Sequence, residues 1–201
     1  KNTFDTIYHE HLDYRALLPI SKFINKFKMN LVNFKITEAQ GGSLRVYVSK
    51  RKKLKFKNKI NNQIIKEKFQ YNLFKKNTYK IFEKKIINCK EKLNLLLKNC
   101  INNKLNIAGY GAAAKTTTFL NYFEISEKII KFIIDDNKLK QGLYIPGTEI
   151  KILGPNDHNM KKIHILIIFA WNYSDFIIKK NKNFKKKGGR FLIPFPNPKI
   201  I

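Results

Sequence analysis

The spacing of apolar positions changes twice along this chain. From Leu12 to Met29 they recur at Leu17, Leu18, Phe23, Ile24 and Phe27. That is the rhythm of a helix with one buried face, interrupted by Pro19. Residues 31–38 and 43–49 read as strands around a Gln40-Gly41-Gly42 turn. In the second, Leu44, Val46 and Val48 alternate with Ser43, Arg45 and Tyr47, as half-buried strands do. The two strands are expected to pair. Residues 50–62 form a charged connector, and the run Lys50-Arg51-Lys52-Lys53 reads as a solvated loop. From Ile64 to Cys100, apolar residues at Ile65, Phe69, Leu73, Tyr79, Phe82, Ile86 and Leu93 predict one long helix, or two joined near Asn77-Thr78.

After Asn102-Asn103 the pattern becomes strand, glycine turn and helix. Residues 105–108 predict a short buried strand, Gly109–Ala112 a turn and Ala113–Phe123 a helix. Ile129–Ile134 is a second apolar strand, closed by Asp135-Asp136-Asn137. Ile163–Ala170 is a third, with a helix from about Asn172, and Arg190–Ile193 is a last strand before a proline-rich tail. Strands alternating with helices predict an α/β fold. Its expected form is a Rossmann-like parallel sheet with flanking helices, preceded by a helix, a small β-hairpin and a long connecting helix. Residues 1–62 are expected to form a motif-bearing segment with the hairpin, and 63–201 the Rossmann-like domain.

Composition adjusts this picture in three ways. The 201 residues suffice for a real core, and the chain opens on Lys1, which suggests a piece of a longer protein. The longest apolar run, Ile165 to Trp171, is far short of the roughly 18 residues a membrane span needs, so no membrane partner is expected. The formal charge of +27 invites a nucleic-acid reading. The excess is nearly all lysine, however, with Arg15, Arg45, Arg51 and Arg190 as the arginines, and it accompanies many asparagines and isoleucines. Coding bias produces that mixture, whereas nucleic-acid readers lean on arginine. The lysines are read as solvated surface that steers anionic ligands, with no nucleic-acid partner. Cys89 and Cys100 form no Cys-x-x-Cys pair, so no metal or disulfide is expected here and a reduced cytoplasmic setting is the default.

Two clusters carry chemistry. Gly109-Tyr110-Gly111-Ala112-Ala113-Ala114 fits the G-x-G-x-x-A nucleotide fingerprint, with a strand before it and a helix behind. Small residues let the backbone approach a pyrophosphate, and the helix start offers free N–H groups. Lys115 adds a positive charge, and Asp135 and Asp136 end the next strand, where a ribose-binding acid belongs. A nicotinamide dehydrogenase would look similar, but such proteins usually begin with this unit. The second cluster is Thr6-Ile7-Tyr8-His9-Glu10-His11. In a strand, His9 and His11 would share a face and suit a metal, yet no third ligand has metal spacing. In a turn, Tyr8 and His11 would meet and serve as a general base with its neighbours. A purely structural hydrogen-bonded cluster is the remaining reading.

Taken in order, six segments resemble one family. They are Phe4 to His11, Gly41-Gly42-Ser43-Leu44-Arg45, Gly109 to Lys115, Lys140-Gln141-Gly142, Pro146-Gly147-Thr148 and Ala170-Trp171-Asn172-Tyr173. The chain resembles the C-terminal part of the S-adenosylmethionine-dependent sugar C-methyltransferases, which act on nucleotide-linked 4-keto deoxysugars. The resemblance implies an N-terminal zinc module and a central methyl-donor domain outside this chain, to which residues 1–62 would join. It implies a nucleotide diphosphate sugar as ligand, thymidine-linked by family habit. His11 would be the base, Glu10 its orienting carboxylate and Tyr8 a donor to the enolate oxygen. Ser43 and Arg45 would reach phosphate or sugar hydroxyls. Tyr110, Gly111, Ala112 and Lys115 would hold the diphosphate region, with Asp135, Lys140 and Asn172 toward the nucleoside. Gln40 stands where the family commonly has histidine, Thr116 where it has glycine, and Lys138 and Lys151 where it has prolines.

Overall fold

Buried, branched side chains dictate the centre of the molecule. The computed structural model describes residues 4–38, 42–51 and 56–201. These divide into two units, one comprising the opening residues to Glu10 with Lys84–Ile201, the other His11–Glu83. In the first, β3 (Ile107–Tyr110) and β6 (Ile165–Ile168) are buried at every position, as strands covered on both faces must be. They pair in parallel, and β4 (Ile133–Ile134) and β5 (Ile152–Leu153) extend the sheet beyond β3. β7 (Arg190–Ile193) extends it beyond β6, and β8 (Lys199–Ile200) closes it antiparallel. The order among the described residues is β5-β4-β3-β6-β7-β8. The strand order therefore reverses between β3 and β6, where open α/β sheets leave a ligand crevice at the carboxyl ends. This is the Rossmann-like parallel sheet expected from the sequence.

Helices cover both faces. α4 (Ala114–Phe123) sends Phe119 and Phe123, stacked at 4.0 Å, against one face, where Phe119 also meets Phe169. α3 (Lys76–Asn102) buries Ile86, Cys89, Leu93, Leu97 and Cys100, a single helical stripe. Burial pushes the Cys89 thiol up to about 11, so it stays neutral beside the Pro194 carbonyl. On the opposite face Ile177 of α5 (Ser174–Lys180) packs with Ala108, Tyr110, Ile134 and Ile168. The short α6 (Lys182–Lys186) follows.

The second unit holds the hairpin. β1 (Asn30–Thr37) and β2 (Ser43–Ser49) pair antiparallel. Leu31 and Phe34 pack with Leu17 of α1 (Leu17–Lys26) and Ile60 of α2 (Lys57–Ile65). Pro19 does not interrupt α1, because it falls in the first turn, where a missing N–H removes no helical bond. α1 lacks a local side-chain cap. The buried carboxylate of Glu67 replaces it, accepting the N–H groups of Leu17 at 2.8 Å and Leu18 at 3.0 Å.

Several boundaries differ from the sequence reading. Part of the expected connector is α2, whose buried face Ile60 supplies amid lysines and asparagines. The long helix breaks earlier than Asn77-Thr78: Lys66–Gln70 forms a π turn, Asn72 takes a positive φ of 48°, and the Thr78 hydroxyl donates to the Asn72 carbonyl as α3 begins. β3 starts two residues later and runs through Gly109, while β4 keeps only Ile133 and Ile134. β5 and β8, two residues each, are too short to show periodicity. Gln40, Gly41, Lys52 and Lys53 lie outside the described residues.

Removing the Glu67 carboxylate leaves two amides at the start of α1 without their acceptor. Glu67→Ala is expected to cost about 2 kcal/mol. Urea unfolding followed by circular dichroism checks this, and an unchanged midpoint contradicts it.

Candidate functional site

The glycine turn is built by close approach. Gly109 lies in β3 because a Cβ there would sit 2.6 Å from the Phe169 ring and 2.8 Å from Ile133. Gly111 takes φ +98°, and a Cβ on it would stand 3.3 Å from that of Ala170, just past β6. The turn thus lies at the switch point of the sheet. Gly111 N–H donates to the Ile134 carbonyl at 2.7 Å. Thr116, only 1% exposed, donates its hydroxyl to the Gly111 carbonyl at 2.6 Å and accepts the Ala113 N–H at 3.3 Å. Thr116 therefore clamps the turn.

Four expected site residues meet here. Ala112 N–H donates to Asp135 Oδ2 at 2.7 Å, and Lys140 Nζ donates to the Ala112 carbonyl at 2.7 Å while lying 3.8 Å from Asp135 Oδ2. The other Asp135 oxygen accepts the Asn137 N–H at 2.8 Å. Asp135 is thus tied to backbone by both oxygens, flanking Gly111, Ala112 and Lys140. The N–H groups of Ala114 and Lys115 open α4, where no carbonyl four residues back lies in the helix to accept them, and the helix dipole adds partial positive charge.

Asp136 faces the other way. Its carboxylate accepts the Tyr110 hydroxyl at 2.8 Å and Lys180 Nζ at 2.6 Å. Burial disfavours its charge, but the hydrogen bonds from Lys180 and Tyr110 outweigh that and hold its pKa below the usual carboxylate value. Burial first, then the bond to Asp136, raises the Tyr110 phenol, and the bond to Asp136 raises Lys180. The Tyr110 ring itself is buried in the core under α5.

Lys115 has a partner that sequence reasoning missed. Its Nζ lies 3.4 Å from Asp5 Oδ2, a carboxylate whose side chain is only 3% exposed. Beside it, Phe4 packs among Phe119, Tyr122, Phe123 and Phe195 at centroid distances of 5.0–6.2 Å. Phe4 and Asp5, at the head of the opening motif, are therefore anchored on α4. Tyr8 is half-buried with its ring 6.1 Å from that of His9, and Glu10 lies 3.9 Å from His9 Nε2 at an exposed position.

In the hairpin unit, His11 is half-buried and edge-on to Tyr14 at 6.3 Å. Tyr14 lines a cavity of about 520 Å³ together with Arg15, Ser43, Tyr71, Phe74 and Tyr79. Arg45 is exposed on β2. Asn172 is exposed in the turn before α5, whereas Trp171 packs between Phe119 and Phe195. Among the described residues no group of three His, Cys, Asp or Glu is placed to hold a metal, and no helix is long and apolar enough to cross a membrane. Asp136 was visible in the sequence as one of two acids. Its partner Lys180 comes from a helix 44 residues away and carried no signal.

Residues 38–196 match the family described as the C-methyltransferase C-terminal domain. The C-methyltransferase NovU of Streptomyces niveus is 28% identical over 200 residues, covering 100% of this chain and 48% of that protein. The chain thus spans about half the length of the curated relative it matches.

A depressed carboxylate pKa sets a sign. The stabilisation from Asp136 is present above the ordinary carboxylate pKa of 3.8 and is lost as pH falls through the lower folded value. Asp136→Asn should therefore lower the melting temperature near neutral pH and converge with wild type in strong acid. A gap that persists at about pH 2 contradicts the ion-pair account.

Proposed function

Because the chain belongs to the family of C-methyltransferase C-terminal domains, we propose that the complete protein is an S-adenosylmethionine-dependent C-methyltransferase. Its acceptor is the carbon next to the ketone of a nucleotide-linked 4-keto deoxysugar, and its setting is cytoplasmic. This chain supplies the grip on the substrate and the base. The name of the relative, a C-methyltransferase, supports the reaction class. The six ordered sequence segments support the acceptor.

The chemistry needs a proton removed from carbon and the resulting enolate stabilised. His11 takes the proton on its imidazole, Glu10 orients that ring, and Tyr8 donates a hydrogen bond toward the enolate oxygen. The electrons of the broken C–H bond pass into the enolate. The setting of His11 carries this assignment: its ring stands against Tyr14, which lines a cavity shared with Ser43 and large enough for a sugar ring. Ser43 and Arg45 take hydroxyl or phosphate oxygens. The first N–H groups of α4, with Lys115, receive the diphosphate, and Gly111 and Ala112, whose own N–H groups are engaged by Ile134 and Asp135, let it approach the turn. Asp135 and Lys140 shape that turn, Tyr110 supports Asp136 from beneath, and Asn172 faces the nucleoside end.

When bound, S-adenosylmethionine supplies the methyl group as an electrophilic sulfonium. The open N–H groups at the start of α4 suit an anion better than that cation. The donor is assigned to the part of the complete protein outside this chain, which spans 48% of the relative's length. Exposed apolar side chains in the hairpin unit, among them Leu12 at 92%, Phe27 at 62% and Ile36 at 61%, support a junction with that part.

Calorimetry of this chain with thymidine, uridine and guanosine diphosphates should give saturable binding to at least one. In the full-length enzyme, His11→Ala is expected to lower methyl transfer at least about 100-fold while leaving nucleotide affinity unchanged. Wild-type turnover in that variant removes the base assignment.

A further inference from the structure

Among the described residues, three polar or charged side chains are buried: Asp5, Glu67 and Thr116. Two of them have a structural task. Glu67 caps α1 with both oxygens, and Thr116 clamps the glycine turn. Asp5 pairs instead with an ammonium, that of Lys115, 3.4 Å from its Oδ2. That distance exceeds the roughly 2.7–2.9 Å of a charge-assisted hydrogen bond. Charge rather than a close bond holds the pair, and Lys115, whose side chain is 20% exposed, keeps N–H donors for a further acceptor. A buried pair of this kind adds little to stability, because desolvation offsets the attraction unless the geometry is excellent. Lys115 also stands in the first turn of α4, where the helix dipole disfavours a cation. The negative charge of Asp5 offsets that effect and holds the ammonium beside the N–H groups that are open to an anion.

Asp5 and an anion at the start of α4 are therefore rivals for one ammonium, and their like charges repel. Loss of the Asp5 charge favours the anion. Yet Asp5 belongs to the short 3₁₀ turn Phe4–Thr6, on which the following residues are folded. Ile7 N–H donates to the Phe4 carbonyl at 3.0 Å, and Tyr8 N–H to the Thr6 carbonyl at 3.1 Å. The place of Tyr8 thus follows from that of Asp5. We propose that Asp5 is a positioning residue: through Lys115 it ties the opening motif to the anion at the start of α4, at the expense of affinity for that anion. The proposal rests on the reading that this helix start receives the diphosphate.

The full-length enzyme and its Asp5→Asn variant are to be compared by calorimetry with inorganic pyrophosphate and with thymidine, uridine and guanosine diphosphates. Methyl transfer to a nucleotide-linked 4-keto deoxysugar is measured in parallel at saturating acceptor. Asparagine matches aspartate in size, so the charge changes while the packing around Phe4 does not. The variant should bind pyrophosphate at least about threefold tighter, because a like charge near the phosphate is gone. Its turnover should fall about tenfold or more, because the motif is no longer tied to the bound anion. A residue needed only for folding would move both quantities the same way, toward weaker binding and slower turnover. Asp5→Asn/Lys115→Gln removes both charges and leaves no buried charge unpaired. It should lose the gain in pyrophosphate affinity and remain slow. Should the single variant not fold, the turnover of the double variant decides. Binding of neither pyrophosphate nor any nucleotide to the wild-type enzyme overturns the diphosphate reading beneath the proposal. Pyrophosphate binding that is unchanged or weaker in Asp5→Asn, a gain that the double variant keeps, or wild-type turnover in either variant overturns the role of Asp5 alone.

Discussion

A buried carboxylate fixes how the opening motif begins. Asp5 is nearly inaccessible to water, and a charge in that position persists only with a partner, which Lys115 provides from the first turn of α4. Phe4 fills the aromatic cluster beside it. Together they attach the segment leading to Tyr8, His9 and Glu10 to the helix whose start forms the glycine turn. The Lys115 ammonium is thereby held beside Asp5 at the start of α4.

The turn itself is made rigid before any ligand arrives. Thr116 bonds both sides of it, Asp135 takes the Ala112 N–H, and Lys140 takes the Ala112 carbonyl. A site whose backbone groups are already aligned loses less entropy on binding. The same bonds commit Ala112 to Asp135, so the backbone groups left open at the turn are the first N–H groups of α4. Two adjacent acids at the end of β4 thereby take different work, one building the turn and the other facing the rim of α5.

Much of this was legible in the sequence. The fold class follows from β3, β6 and the helix pattern around them, and the glycine turn follows from its strand and helix flanks. What stayed hidden has physical reasons. Gly109 reads as part of the turn, yet it belongs to β3, where Ile133 of β4 and Phe169 just past β6 occupy the space of a side chain, and both neighbours are remote in sequence. α2 was masked by lysines and asparagines, since Ile60 alone is fully buried on it. The pairs Asp5–Lys115 and Asp136–Lys180 join elements remote in sequence, and no local spacing encodes them. The cap that Glu67 provides for α1 is hidden for the same reason.

The central claim is that an imidazole in this chain removes a proton from carbon, and it can be tested without any methyl transfer. The full-length enzyme, incubated in deuterium oxide with a nucleotide-linked 4-keto deoxysugar and no methyl donor, is followed by proton NMR at the carbons flanking the ketone. The account predicts exchange at one of them well above the uncatalysed rate, lost in His11→Ala. Exchange at the uncatalysed rate, or exchange undiminished by His11→Ala, contradicts it.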